Sequence, residues 1–167
     1  MKKKLIVTLI LICLVGLIVW LCIPAPMFKN PVSVWIDLIN YETEEEDMIS
    51  FASNSNIDLI DTDAIADILA DGSTWRFPKS HNGHSIVKGD LWISGYALSD
   101  SGARSYHIYL NPDNPELNII EKHYSLGDFS IGISHSIRNS GELYEKIMAV
   151  LPPAEEMMEI SRKEPTE

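Results

Sequence analysis

From Leu5 to Ile23 the chain carries no charged side chain, and only Thr8 and Gly16 break the succession of large apolar or sulfur-bearing residues. At the helical rise this stretch spans about 29 Å, against about 30 Å for the hydrocarbon core of a bilayer. Lipid supplies no hydrogen bonds, so a segment that crosses it must satisfy its own amides as a helix. Trp20 falls near the outer end, where an amphipathic ring favours the headgroup region. Lys2, Lys3 and Lys4 precede the run and only Lys29 follows closely. This bias predicts a cytoplasmic tip at 1–4, a transmembrane anchor at 5–23 and an extracytoplasmic remainder.

A cleaved signal peptide shares this outline, but its apolar region usually spans about 7–15 residues and ends in a small-x-small site. Here the run is longer, and Pro24 and Pro26 flank Ala25. Lipoprotein processing wants small residues directly before the cysteine, whereas Cys22 follows Val19-Trp20-Leu21 and Cys13 lies mid-span. The expectation is therefore a retained single-pass signal-anchor at the cell membrane.

Cys13 and Cys22 are the only two cysteines. The exported part is thus without an internal disulfide, a thiol nucleophile or a Cys-ligated zinc. At this size a domain buries enough surface to be stable without such staples. Its charge is lopsided. Three of the 13 basic residues are the anchor lysines, leaving 10 against 24 acidic ones, a formal charge of −14. A surface of that sign is repelled by phosphate backbones, which argues against nucleic acid as a partner. Net acidity also serves solubility alone, and no cofactor is implied by it.

The exported chain opens with a Pro-rich stretch, 24–31, read as a short stiff spacer. Alternation of Val34, Ile36 and Leu38 predicts a strand over 32–40. Five carboxylates within 42–47 read as a solvated loop, with strands expected over 48–52 and 57–60. Asp61 or Thr62 as cap, the Ile65-Ile68-Leu69 stripe and Gly72 as stop predict a short helix. Residues 75–88 read as a loop, with some extended structure near Ile86 and Val87. Strands are expected at 91–98 and 105–110, joined as a hairpin, then a turn at Asn111–Pro115, and strands at 117–122 and 128–134 as a second hairpin. Ser140 as N-cap and a face of Leu143, Ile147, Val150 and Leu151 predict a closing helix, stopped by Pro152-Pro153.

The fold class expected is α+β: an N-terminal transmembrane helix followed by one small domain, 32–152, with an antiparallel sheet and two helices on one face. A mobile acidic tail over 153–167 completes the chain.

Specific chemical signatures are scarce. His81 and His84 sit three apart in a Gly-containing segment and could reach one metal ion, with Asp90 as a third ligand. A polar loop that happens to hold two histidines accounts for the same pattern. Ser134-His135-Ser136 sets hydroxyls beside an imidazole, but neighbours on a strand point to opposite faces, and no G-x-S-x-G elbow is present. The acidic runs lack the spacing of a calcium loop. Trp92 and Tyr96 share one strand face, with Tyr106 expected opposite them on the next strand. Such aromatics suit a peptide- or sugar-binding surface, and equally suit a core. The functional expectation is a membrane-tethered extracytoplasmic binding module for an envelope protein or extracellular ligand. The alternative is a small extracytoplasmic hydrolase using His81 or His84, with or without a metal. Nothing in the sequence names a reaction.

Overall fold

The computed structural model describes residues 2–29, 33–39, 60–80, 89–99, 102–126, 129–153 and 156. Among them it has three α-helices and one seven-stranded antiparallel sheet, an α+β arrangement. The helices are α1 (Lys2–Cys22), α2 (Thr62–Ala70) and α3 (Ser140–Met148). The strands are β1 (Ala25–Pro26), β2 (Trp35–Ile39), β3 (Ser73–Pro78), β4 (Leu91–Ser99), β5 (Gly102–Leu110), β6 (Ile119–Leu126) and β7 (Phe129–Arg138). Across the sheet they lie in the order β1-β3-β7-β6-β5-β4-β2. Asp37 of β2, the acidic run 42–47, the strand expected at 48–52, residues 57–59 of the one expected at 57–60, His81, His84 and most of the tail have no described side chain or lie outside the described residues, and Ile60 itself is not in a strand.

Helix α1 is apolar on every side and exposed from Lys4 to Trp20. From Lys4 to Cys22 it is long and apolar enough to cross a membrane, a property it shares with secretory signal sequences. A helix without a polar face and without protein around it is unsuited to water.

The stretch read as a spacer belongs to the domain. Ala25 and Pro26 pair with Thr74 and Ser73 as an edge strand, where proline's missing donor costs no ladder bond. Met27 and Phe28 are then buried, and the Lys122 ammonium bonds to the Met27 carbonyl. The strand β3 lies where a loop was expected, because Pro78 falls at its very end and Arg76 and Trp75 obscure its alternation. Between Thr74 and Pro78 its register against β7 shifts, which weakens a period-2 pattern further.

One face of the sheet carries the core. Ile65 and Leu69 of α2 and Leu143 and Ile147 of α3 pack against Ile93, Ile108, Leu110, Ile120 and Ile137. Helix α2 starts where Asp61 accepts a hydrogen bond from the Ala64 amide at 2.9 Å, with Asp63 at the positive end of the helix dipole. Asp61→Ala is expected to lower stability by about 1 kcal/mol, the usual worth of such a cap, read as the midpoint of urea unfolding. An unchanged midpoint would mean that packing of Ile65 and Leu69 alone sets the helix start.

The start of α3 differs from expectation. Asn139, in the left-handed region at φ 52°, occupies the cap position, and Ser140 is the first helical residue. Ser140 is instead committed to a buried polar network, accepting from Asn118 Nδ2 at 2.9 Å. Asn118 Oδ1 accepts from the Asn111 amide at 2.6 Å, and Asn111 Nδ2 donates to Asp90 at 2.6 Å. Asp90, Asn111 and Asn118 are at most 1% exposed. The Tyr109 hydroxyl completes the chain. Burial, then its hydrogen bond to Asp90 and that carboxylate's charge, push its pKa well above the ordinary tyrosine range. It therefore stays protonated and donates to Asp90. Through this network the turn between β5 and β6 is tied to the first turn of α3.

Candidate functional site

Strand alternation sends residues 92, 94 and 96 of β4, and 107 and 109 of β5, to the face opposite α2 and α3. The register continues the row across the sheet. Trp35 lies beside Ser94, Ser94 beside His107, His107 beside Glu121, and Glu121 beside Ser134. A polar row of hydroxyl, imidazole, carboxylate and hydroxyl thus crosses β4, β5, β6 and β7.

Aromatic rings flank this row. Trp35 meets Tyr96 edge-on with centroids 5.1 Å apart, and Trp92 meets Tyr109 edge-on at 5.7 Å. Both distances and tilts suit the positive edge of one ring against the negative face of the other. Tyr96 is 50% exposed. On β3, at the other side of the sheet, Trp75 and Phe77 are also exposed. Among the described residues the buried indole Nε1 of Trp92 has no hydrogen-bond partner.

The middle of the row has its own geometry. Ser94 Oγ and His107 Nδ1 are 2.7 Å apart. The rings of His107 and His123 meet edge-to-face at 5.2 Å, and His123 Nε2 lies 3.7 Å from Glu121 Oε1. Gly132, opposite His123, makes room for that carboxylate, since a Cβ there would stand 2.3 Å from Glu121 Oε1. Next to it, Lys79, Glu121, Gly132 and Ser134 line an open cleft of about 420 Å³.

A serine–imidazole hydrogen bond invites a hydrolase reading, but Ser94 is 1% exposed within a strand. A nucleophile must present its oxygen to a reacting carbonyl beside an oxyanion hole, which this position does not offer. His135 lies on the other face from Ser134 and Ser136, where its Nδ1 meets the Trp75 carbonyl at 3.1 Å. Among the described residues no group of three or more His, Cys, Asp or Glu side chains is placed to hold a metal ion. His81 and His84 lie outside those residues, so the pair has no geometry to report.

Of the aromatic residues singled out from sequence, Trp92 and Tyr96 share the face opposite α2 and α3 and Tyr106 does not. Tyr106 stands opposite Gly95 on the core face, 1% exposed. Its ring centroid lies 4.7 Å from that of Phe28, and its hydroxyl donates to the Ser33 carbonyl at 2.7 Å. Burial raises its pKa well above the ordinary range. The reason is parity. In the β4–β5 hairpin Tyr106 pairs with residue 95 rather than with 94 or 96, and a one-residue difference in register exchanges faces. His107, His123 and Glu121 escaped the sequence reading because they are separated along the chain and join only through the register of β5 and β6.

Compared with known proteins, the chain matches no family model, no curated protein and no solved structure.

Proposed function

We propose that this chain is a membrane-tethered binding module whose partner is an envelope protein or another extracellular polypeptide. In this reading residues 5–23 are retained as the anchor, Lys2–Lys4 stay in the cytoplasm, and the acidic α+β domain stands outside. The partner is held on the sheet face that α2 and α3 leave uncovered.

The observation that carries the reading is the set of aromatic side chains on that face. Trp35, Trp92 and Tyr96 cluster on β2 and β4, and Tyr96 is half exposed. Tyrosine and tryptophan are the residues most enriched among those that dominate interfaces, because each covers a large area at a low entropic cost. The imidazoles and Glu121 beside them add polar groups able to fix orientation. The domain's net acidity favours a partner that is neutral or basic.

The test uses the full chain in intact cells, with a photo-crosslinking residue at position 96 or, for comparison, at Glu145 on exposed α3. One recurrent polypeptide recovered from position 96 and not from 145 is expected. Tyr96→Ala should then weaken binding of that polypeptide about 30-fold, the equivalent of a hot-spot loss of about 2 kcal/mol, with the unfolding midpoint unchanged. Equal recovery from both positions, or unaltered affinity of the alanine variant, would remove this face as the binding surface.

A further inference from the structure

The β6–β7 hairpin runs past the part of the sheet that the helices cover. On the core face, alternation aligns Ile120, Lys122 and Tyr124 of β6 with His135, Ile133 and Ile131 of β7, ending at Phe129. Ile120 is fully buried, whereas Ile131 is 45% and Phe129 76% exposed. Past Lys122 and His135 the same face turns apolar again and forms an overhang without a covering element among the described residues.

The overhang lies at the end of the sheet where α1 arrives. Strand β1 runs antiparallel to β3, so the chain enters from the Pro78 side of β3. Arg76 holds that entry, donating to the Ile23 carbonyl at 3.0 Å with its guanidinium 4.4 Å above the Trp20 ring. β3 is in turn antiparallel to β7, with Pro78 beside His135, so the same end leads on along β7 to Phe129. The charge pattern agrees. From Tyr124 to Ile133 the sequence holds one charged residue, Asp128, in a domain otherwise dense with carboxylates. A near-neutral stripe of Tyr, Phe and Ile is the composition that partitions into the headgroup–acyl boundary.

We propose that the β6–β7 hairpin docks Phe129 and Ile131 into the surface of the bilayer that holds α1, giving the domain a second membrane contact. This rests on the reading of residues 5–23 as a retained anchor. The second contact limits rotation of the domain about its tether, and so sets the direction in which the Trp92–Tyr96 face is presented.

The experiment places spin labels on the full chain in phosphatidylcholine nanodiscs. Single cysteines enter a Cys13→Ser, Cys22→Ser background as Phe129→Cys, Ser130→Cys, Ile131→Cys and Glu145→Cys. A further sample keeps Cys13 alone. Collision with oxygen, which concentrates in lipid, is compared with collision with a water-soluble nickel chelate. The oxygen-to-nickel ratio at 129 and 131 is expected to exceed that at 130 and 145 several-fold, and to approach the ratio at Cys13. A lipid-like Cys13 with water-like 129 and 131 would overturn the hairpin contact and leave the anchor standing. A water-like Cys13 would overturn both. Labels at 129 and 131 shielded from both reagents would show that protein, not lipid, covers the stripe, and the proposal would fail.

Discussion

Gly95→Ala is expected to cost about 3 kcal/mol or more, at the upper end of what overpacking a core usually costs. An alanine Cβ at this position would stand 1.9 Å from the Ser33 carbonyl oxygen and 2.4 Å from the Tyr106 hydroxyl. The first of these is a backbone atom and has no rotamer into which to retreat. Relief requires Ser33 to move away from β4. That displacement breaks the bond from the Ser33 amide to the Tyr96 carbonyl at 2.9 Å and the one from Tyr106 to Ser33 at 2.7 Å. Each is worth about 1 kcal/mol net, against a total of about 5–15 kcal/mol for a domain. Urea unfolding followed by tryptophan fluorescence reads the loss directly. Adding Tyr106→Phe removes the hydroxyl contact but leaves the ring Cζ at 2.5 Å and the Ser33 carbonyl in place, so it should restore little. Full recovery in the double variant would show that the hydroxyl, not the backbone, is what excludes a side chain. A midpoint equal to the parent's in Gly95→Ala itself would refute the packing described for this corner.

The second large effect is expected at Asn118, at about 2–4 kcal/mol for Asn118→Ala. Its carboxamide is the only described link between the Asn111 amide and the Ser140 hydroxyl, at 2.6 and 2.9 Å. Removing it leaves a buried donor and a buried hydroxyl to be desolvated without return, at about 1–3 kcal/mol for each group. Buried networks of this kind are worth most when every member is satisfied, so losing a central one exceeds the value of its separate bonds. Hydrogen exchange distinguishes this from a general loss of stability. Amides in the first turn of α3, including Leu143, should lose protection together with those of the β5–β6 turn. Protection lost only at Asn111, with α3 unchanged, would mean that the helix is held by Leu143 and Ile147 and not by Ser140.

These two sites differ in how far the sequence foretold them. Ser140 was legible as a polar residue at a helix start, yet its partner is Asn118 rather than its own helix. Local rules assign a serine before an apolar stripe to capping, and only the folded chain supplies the competing amide. Gly95 lies in the middle of a strand with apolar and aromatic neighbours, and nothing beside it in sequence says why a side chain is excluded. The cause is Ser33, 63 positions from Tyr96, whose amide and hydroxyl both bond to that residue.

The candidate site divides in the same way. Trp92 and Tyr96 could be placed together because residues four apart on a strand share a face. Tyr106 could not, since its face depends on which residue of β4 it pairs with. The row from Ser94 through His107 and Glu121 to Ser134 was invisible beforehand, as it is a property of four strands in register. The edge strand β1 and the burial of Met27 and Phe28 were hidden by the prolines around them, which read as a spacer until β3 offers them an edge.

What the sequence determined by itself is everything whose cause lies within about two helical turns or one hairpin. This includes the apolar helix over the first residues, the cap and stripe of α2, the apolar stripe of α3, and the β4–β5 and β6–β7 hairpins. The tertiary structure alone decided the strand order β1-β3-β7-β6-β5-β4-β2, which aromatics face the helices, and where the hairpin overhang lies relative to α1. Those outcomes rest on contacts such as Lys122 with Met27, 95 residues apart. Pairings at such separations are selected by the burial and hydrogen bonding they achieve together, and no local pattern records them.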